Sequence, residues 1–276
     1  MPDLATCAVH TMTTKPWSLA EACERYAAAG VAGVSVWRNT VAPEEGGVGL
    51  DEAVRIVSGS GLRVPAYVRG GFFTAFDEAD RQKAIDHNKT VLDEAAALGA
   101  GQVVLVVGAV PGIPLAEARR QVTEGIAACV EHAKRVGVKL SIEPLHPMYA
   151  GDKSCVNRLA EARAIWQAIG DAGVGVAVDV YHVWWDPDLA EEVRLAGEAG
   201  RLFGFHVCDW RLPTRDLLLD RGVMGEGCID VPGIRRMVED AGFRGLNEIE
   251  IFSNELWRQD QPAVLARVLE AYRRHV

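Results

Sequence analysis

No CxxC pair, no basic run and no apolar stretch of membrane-spanning length occurs in this chain, and each absence closes off a class of protein. The six cysteines (Cys7, Cys23, Cys129, Cys155, Cys208 and Cys228) are scattered over 276 residues. That spacing excludes a zinc ribbon or a disulfide scaffold and suits small hydrophobes kept reduced. Lys and Arg number 29 against 38 Asp and Glu, a formal charge of −9. The electrostatic footprint of a nucleic-acid binder is therefore missing. The most apolar run, residues 103–110, ends at Pro111 and Gly112, well short of the ~18–20 residues that a membrane helix needs. The opening Met1-Pro2-Asp3-Leu4 has neither part of a secretory signal, so a cytoplasmic location is expected. There is no phosphate loop of the form GxxxxGKS/T, and no GxGxxG turn follows the first strand.

What is present is a globular composition, 49% hydrophobic and 24% charged, with one unit repeated along the chain. A short β-rich run leads into a polar or glycine-rich loop and then into an amphipathic stretch rich in Ala, Glu and Arg. Strands are predicted at residues 4–9, 33–37, 63–68, 102–107, 139–143, 175–179, 202–207 and 246–251. Each is apolar nearly throughout, as parallel strands covered on both faces are. Helices are predicted at residues 19–29, 51–59, 78–98, 115–136, 159–171, 189–199, 233–241 and 262–275. Ser18, with Glu21 three residues on, is placed to cap the first of them. Eight strands alternating with eight helices, and no linker between them, predict an α/β protein, a single (β/α)8 barrel over residues 1–276.

In such a barrel the C-terminal strand ends face the functional site. Here the last four strands end in Glu143, Asp179, His206 and Glu250. One strand-end carboxylate is more often a loop cap or an ion-pair partner, and one histidine a satisfied core residue; four on consecutive strands are harder to explain that way. Three carboxylates gathered at one point repel, and burying them unpaired costs several kcal/mol each. A divalent cation relieves that cost. Three carboxylate oxygens and one imidazole form a hard, anionic set suited to one Mn2+, the preferred assignment, or to Mg2+ or Co2+, with Zn2+ also compatible.

Around this set, His146 and His182 each follow a proposed ligand by three positions and are expected to contact substrate or support the metal. Arg211 is a candidate clamp for a substrate oxygen. Trp37, Tyr67 and Trp257, at or just past strand ends, are candidate walls for a sugar ring. His10, after the first strand, is a pocket wall or a loop residue. Glu248 is expected to turn toward the helices as a structural ion-pair member. The glycines of Gly222-Val-Met-Gly225-Glu226-Gly227 read as a tight loop closing over the site, with Asp230 capping the next helix. Their spacing is not that of a phosphate loop.

The ordered segments IEPLHP, VAVDVYH, FHVCDW, MGEGCID and EIEIFSNELW resemble the xylose isomerase-like TIM-barrel superfamily of sugar isomerases and epimerases. The similarity runs over essentially the whole chain and is greatest toward inosose isomerases, inosose dehydratases and ketose 3-epimerases. It implies metal ligation by Glu143, Asp179, His206 and Glu250, acid/base roles for Glu143 and Glu250, and substrate contact by His182. The implied reaction is proton transfer next to a carbonyl through an enediolate, on a small sugar or cyclitol. The alternative is a lyase of the same fold, an inosose-type dehydratase or a 3-keto-glycoside-cleaving enzyme. A non-catalytic sugar-binding barrel and a repair nuclease are disfavoured. The first has no use for opposed metal-bound carboxylates, and the second needs further histidines where this chain has Trp37 and Tyr67. No nucleic-acid or membrane partner is expected. A homo-oligomer stays open, since members of the superfamily are often dimers or tetramers, as do the identity of the sugar and whether it carries phosphate.

Overall fold

The computed structural model of the chain describes residues 2–276. Eight parallel strands close a barrel in the order β1, β10, β7, β6, β5, β4, β3, β2. They are β1 (Cys7–His10), β2 (Gly33–Trp37), β3 (Tyr67–Gly71), β4 (Gln102–Val106), β5 (Lys139–Ile142), β6 (Val174–Asp179), β7 (Leu202–Val207) and β10 (Asn247–Ile249). Around them run α1 (Leu19–Ala28), α2 (Leu50–Ser60), α3 (Glu78–Ala97), α4 (Leu115–Val136), α5 (Leu159–Ile169), α7 (Leu189–Glu198), α8 (Val231–Asp240) and α9 (Gln261–His275). The expected (β/α)8 barrel is therefore the observed fold. Among the described residues no helix is long and apolar enough to cross a membrane.

Alternation along the strands sorts the side chains into two environments. One row packs outward between strands and helices and forms the main core; it includes Val34, Val36, Val103, Leu105, Leu140, Ile142, Val176, Val178, Phe205 and Val207. The opposite row points into the barrel. In-register partners share a face, so the pairings Ala8–Gly33, His10–Ser35, Asp179–His206 and His206–Glu248 place all of these inside. The interior is thus lined by small residues, with polar ones gathered toward the C-terminal end.

Local chemistry sets the element ends. Ser18 accepts from the Glu21 N–H at 3.2 Å, the predicted cap of α1, and Asp77, Asp230 and Asp260 cap α3, α8 and α9 in the same manner. Two strands start three or more residues later than the sequence reading, and four others differ from it by one or two residues at one or both ends. Leu4–Thr6 is a 3-10 turn, because Asp3 accepts from the Ala5 N–H and turns the chain before β1 starts. The third strand begins at Tyr67 rather than at residue 63, and it carries an irregularity between Val68 and Gly70. Pro65 supplies no ladder N–H, and Arg63 makes only an isolated bridge to Gly33.

Two elements were not foreseen. A single helical turn, α6 (Val180–Val183), follows β6 directly, capped by Asp179. Between β7 and α8 an antiparallel ribbon forms from β8 (Asp209–Trp210) and β9 (Arg221–Gly222). The buried Asp209 carboxylate anchors the loop that follows. It accepts from Trp210 at 2.8 Å, Gly225 at 2.9 Å, Gly227 at 2.8 Å and Ile229 at 3.0 Å. The glycine loop therefore spends its N–H groups on Asp209, not on a ligand. Asp209→Ala should strand these four donors and cost about 3 kcal/mol or more. Urea denaturation would measure the loss, and cleavage within residues 222–230 under limited proteolysis should accelerate.

Candidate active site

The four expected ligands converge. Asp179 ends β6 and His206 lies one residue before the end of β7, while Glu143 and Glu250 each extend a strand's ladder by one more hydrogen bond, from the Glu143 N–H to Leu105 at 3.1 Å and from the Glu250 N–H to Val207 at 3.1 Å. All four are buried, and one donor atom from each lies within 4.8 Å of the others. His206 Nδ1 stands 2.9 Å from Glu143 Oε1, yet neither atom has a hydrogen-bond partner of acceptable geometry. Buried polar atoms without partners are costly, and a hard anionic donor set of this composition fits a divalent cation.

Glu248 corrects the sequence reading. Residues two apart on a strand share a face, so it points into the barrel below Glu250 instead of toward the helices. Ser35 Oγ donates to it at 2.6 Å, and His10 Nε2 and His206 Nε2 lie 3.4 and 3.9 Å away. His10 is the last residue of β1, fully buried in the interior; its Nδ1 lies 3.0 Å from Trp37 Nε1 and 2.9 Å from Glu250 Oε1. Burial works to lower its pKa, but the two neighbouring carboxylates outweigh it and raise it.

The residue that sequence reading missed is Arg221 on β9. Its Nη1 donates to Asp179 Oδ2 and to Glu250 Oε2, each at 2.9 Å, and its Nη2 lies 3.2 Å from His182 Nε2. The guanidinium is clasped between the rings of Tyr181, 4.5 Å away, and Phe252, 4.9 Å away. Its one sequence signal was its place directly before the glycine loop, which a surface arginine shares equally well.

His182, on α6, lines the cleft. Its Nδ1 accepts from the His146 N–H at 3.2 Å, so the ring proton sits on Nε2, facing inward. The Nε2–H and the Arg221 N–H thus crowd together as two donors. Trp37 also lines the cleft and packs edge-on against Phe252.

Four expected substrate residues lie elsewhere. Tyr67 shares the outward row with Val36 and Val103, and its hydroxyl donates to Glu94 on α3 at 2.8 Å. The His146 ring packs between Trp185 and Trp210; its backbone N–H, not its side chain, serves the site by orienting His182. Arg211 belongs to an ion-pair network on the outer side of the ribbon, with Glu255 at 2.8 Å and Asp220 at 3.3 Å. Trp257 likewise packs behind the wall, donating to the Met12 carbonyl at 2.9 Å.

The charges are strongly coupled. Burial pushes Asp179 up to about 7 even though Arg221 opposes the shift. Burial also works against a charged His206, but Glu248 and Glu143 outweigh it and raise its pKa to about 10. Burial would raise Glu250 as well; His10 and Arg221 overcome it and hold that carboxylate well below its usual range. Burial and Arg221 together keep His182 neutral.

The xylose isomerase-like TIM barrel family profile matches residues 23–275, and the chain belongs to that family. Inosose isomerase of Halalkalibacterium halodurans is 26% identical over 195 residues, covering 68% of this chain. The chain spans 66% of the length of that curated relative. Among solved structures, protein SMc04130 of Sinorhizobium meliloti 1021 is 47% identical with a TM-score of 0.94, covering 99% of this chain and 98% of that one. The IOLI protein with a bound zinc atom has the same fold at 20% identity, with a TM-score of 0.83 over 97% of this chain and 96% of its own.

Arg221→Met should leave Asp179 and Glu250 buried without their cation and destabilise the metal-free protein by about 3 kcal/mol or more. Because the Asp179 pKa is about 7, the loss should shrink below that pH, where the carboxyl takes up a proton in place of its ion pair. Denaturation midpoints of the variant on either side of neutrality measure this.

Proposed function

We propose that this protein is a divalent-metal-dependent isomerase or epimerase of ketoses or inososes that moves a proton at the carbon next to a carbonyl. The carrying observation is the placement of Glu143 and Glu250 on strands three positions apart around an eight-stranded barrel, both opening into one cleft of about 710 Å³. The name of the curated relatives supports the same reading.

A divalent cation held by Glu143, Asp179, His206 and Glu250 would polarise a substrate carbonyl and acidify the neighbouring C–H. Glu143 Oε1, free of hydrogen bonds, is the atom placed to take that proton. Glu250 faces the same space from across the barrel and returns a proton to the other face in epimerisation, or to the adjacent carbon in isomerisation. An acceptor oxygen entering between His182 Nε2–H and the Arg221 guanidinium relieves the crowding of two donors. The same pair then stabilises negative charge as it develops on that oxygen. Trp37 and Phe252 shield this step from water.

Metal-loaded protein incubated with an inosose or with D-fructose in deuterated water should exchange hydrogen at the carbon beside the carbonyl without other change of mass. Glu250→Gln should slow that exchange by about 100-fold or more while the circular dichroism spectrum is unaltered. Release of water or of an aglycone would replace the isomerase reading with a lyase.

Metal affinity should climb with pH. The ligands bind deprotonated, and the metal-free site holds protons on Asp179 up to about 7 and on His206 up to about 10. Below neutrality both protons compete with the cation; above about 7 the Asp179 proton is gone, and the His206 proton competes less with each step of pH up to about 10. Calorimetry at about pH 6 and about pH 8 should show tighter binding at the higher value, with proton release in buffers of different ionisation enthalpy.

A further inference from the structure

We propose that the outer part of the cleft is an anion subsite, so that the sugar or cyclitol handled below it carries a carboxylate or phosphate group. This rests on the isomerase reading for what happens at the cleft floor, whereas the binding it describes is independent of turnover.

Besides Arg38 and Arg221, which are held by carboxylates, three cations line the cleft from separate parts of the chain: Lys15 in the loop after β1, Arg69 within β3 and Lys153 in the loop after β5. Each lies against an aromatic face. Lys15 Nζ is 4.7 Å from the Trp257 ring centre, the Arg69 guanidinium is 4.8 Å from Phe72 and 6.0 Å from Trp37, and Lys153 Nζ is 5.2 Å from Tyr149. An aromatic face orients a cation without neutralising it. Among the described residues, neither Lys15 nor Arg69 forms a salt bridge or a side-chain hydrogen bond; only Lys153 has an acidic partner, Asp152 at 2.7 Å. Two lysines elsewhere, Lys83 and Lys134, pair with Asp80 and Asp171, each at 2.6 Å, whereas Lys139, outside the cleft, stacks on Phe203 as these cations do on their rings. What sets Lys15 and Arg69 apart is their shared cleft.

The acidic lining residues offset these charges only in part: Glu45 acts on Arg69 at a distance, without a salt bridge. Glu45 is taken by Arg38 at 2.7 Å, and Glu143 and Glu250 lie buried at the floor. A chain with nine more acidic than basic residues would by composition alone present an acidic entrance. This one presents positive charge at the entrance and negative charge at the floor. Neutral hydroxyls give no use for incompletely compensated cations on rigid supports. A carboxylate or phosphate does, because a guanidinium fork binds either one through two parallel hydrogen bonds, and a cleft lined by one sign of charge concentrates ligands of the other.

The test is calorimetric titration of metal-loaded protein with D-fructose, D-fructose 6-phosphate and 5-keto-D-gluconate. At least one of the two acids should bind about tenfold or more tightly than D-fructose, and which of them does so separates phosphate from carboxylate. That ratio should collapse in Arg69→Met and fall in Lys15→Met, each checked for an unchanged melting temperature. It should persist in Lys139→Met, which removes a cation stacked on Phe203 at the start of β5, away from the cleft. Failure of both acids to outbind D-fructose, or a preference undiminished in both cleft variants, would overturn the proposal. An acid that binds through Arg69 yet exchanges no deuterium refutes the isomerase reading alone, and exchange on D-fructose with no acid preference refutes the anion subsite alone.

Discussion

The structure is organised around an excess of buried negative charge. Glu143, Asp179, Glu248 and Glu250 all point into the C-terminal end of the barrel, where little water reaches them. No fold keeps such a group unpaired, since each isolated carboxylate would surrender its charge or destabilise the chain. Arg221, His10 and His206 are drawn in as the answering charges, and their distances to the carboxylates leave room for one more cation among the four proposed ligands. Almost every other feature of the site follows from that demand for positive charge.

The barrel beneath is built to make it tolerable. Ala8, Gly33, Ser35 and Ala177 fill the interior below the site with little volume. The large aliphatic side chains instead stabilise the fold from outside, between strands and helices. Hydrophobic burial thus carries the stability in one shell while the polar chemistry is confined to another, and a substitution in one shell perturbs the other only weakly.

Much of this was legible in the sequence. The repeating unit gave the barrel, and the ends of the last four strands named the residues that meet, because strand position and direction are fixed by periodicity. What failed did so for physical reasons. The face of Tyr67 depends on register, and one residue of uncertainty reverses it; Glu248 needs no register, because strand alternation alone puts it on the face of Glu250. Arg221 could not be found because it reaches the floor on a ribbon whose pairing is tertiary, while Arg211, nearer to His206 in sequence, turns to Glu255 and Asp220. His146 contributes through its main chain, which residue type does not announce.

The ribbon of β8 and β9 has a wider consequence. The strands that end in the proposed ligands belong to the barrel and cannot move without opening it. Arg221 arrives on an excursion outside the barrel, tied down by Asp209. Evolution can therefore lengthen, shorten or replace that insert and retune which molecules are accepted, while the reactive centre is inherited intact.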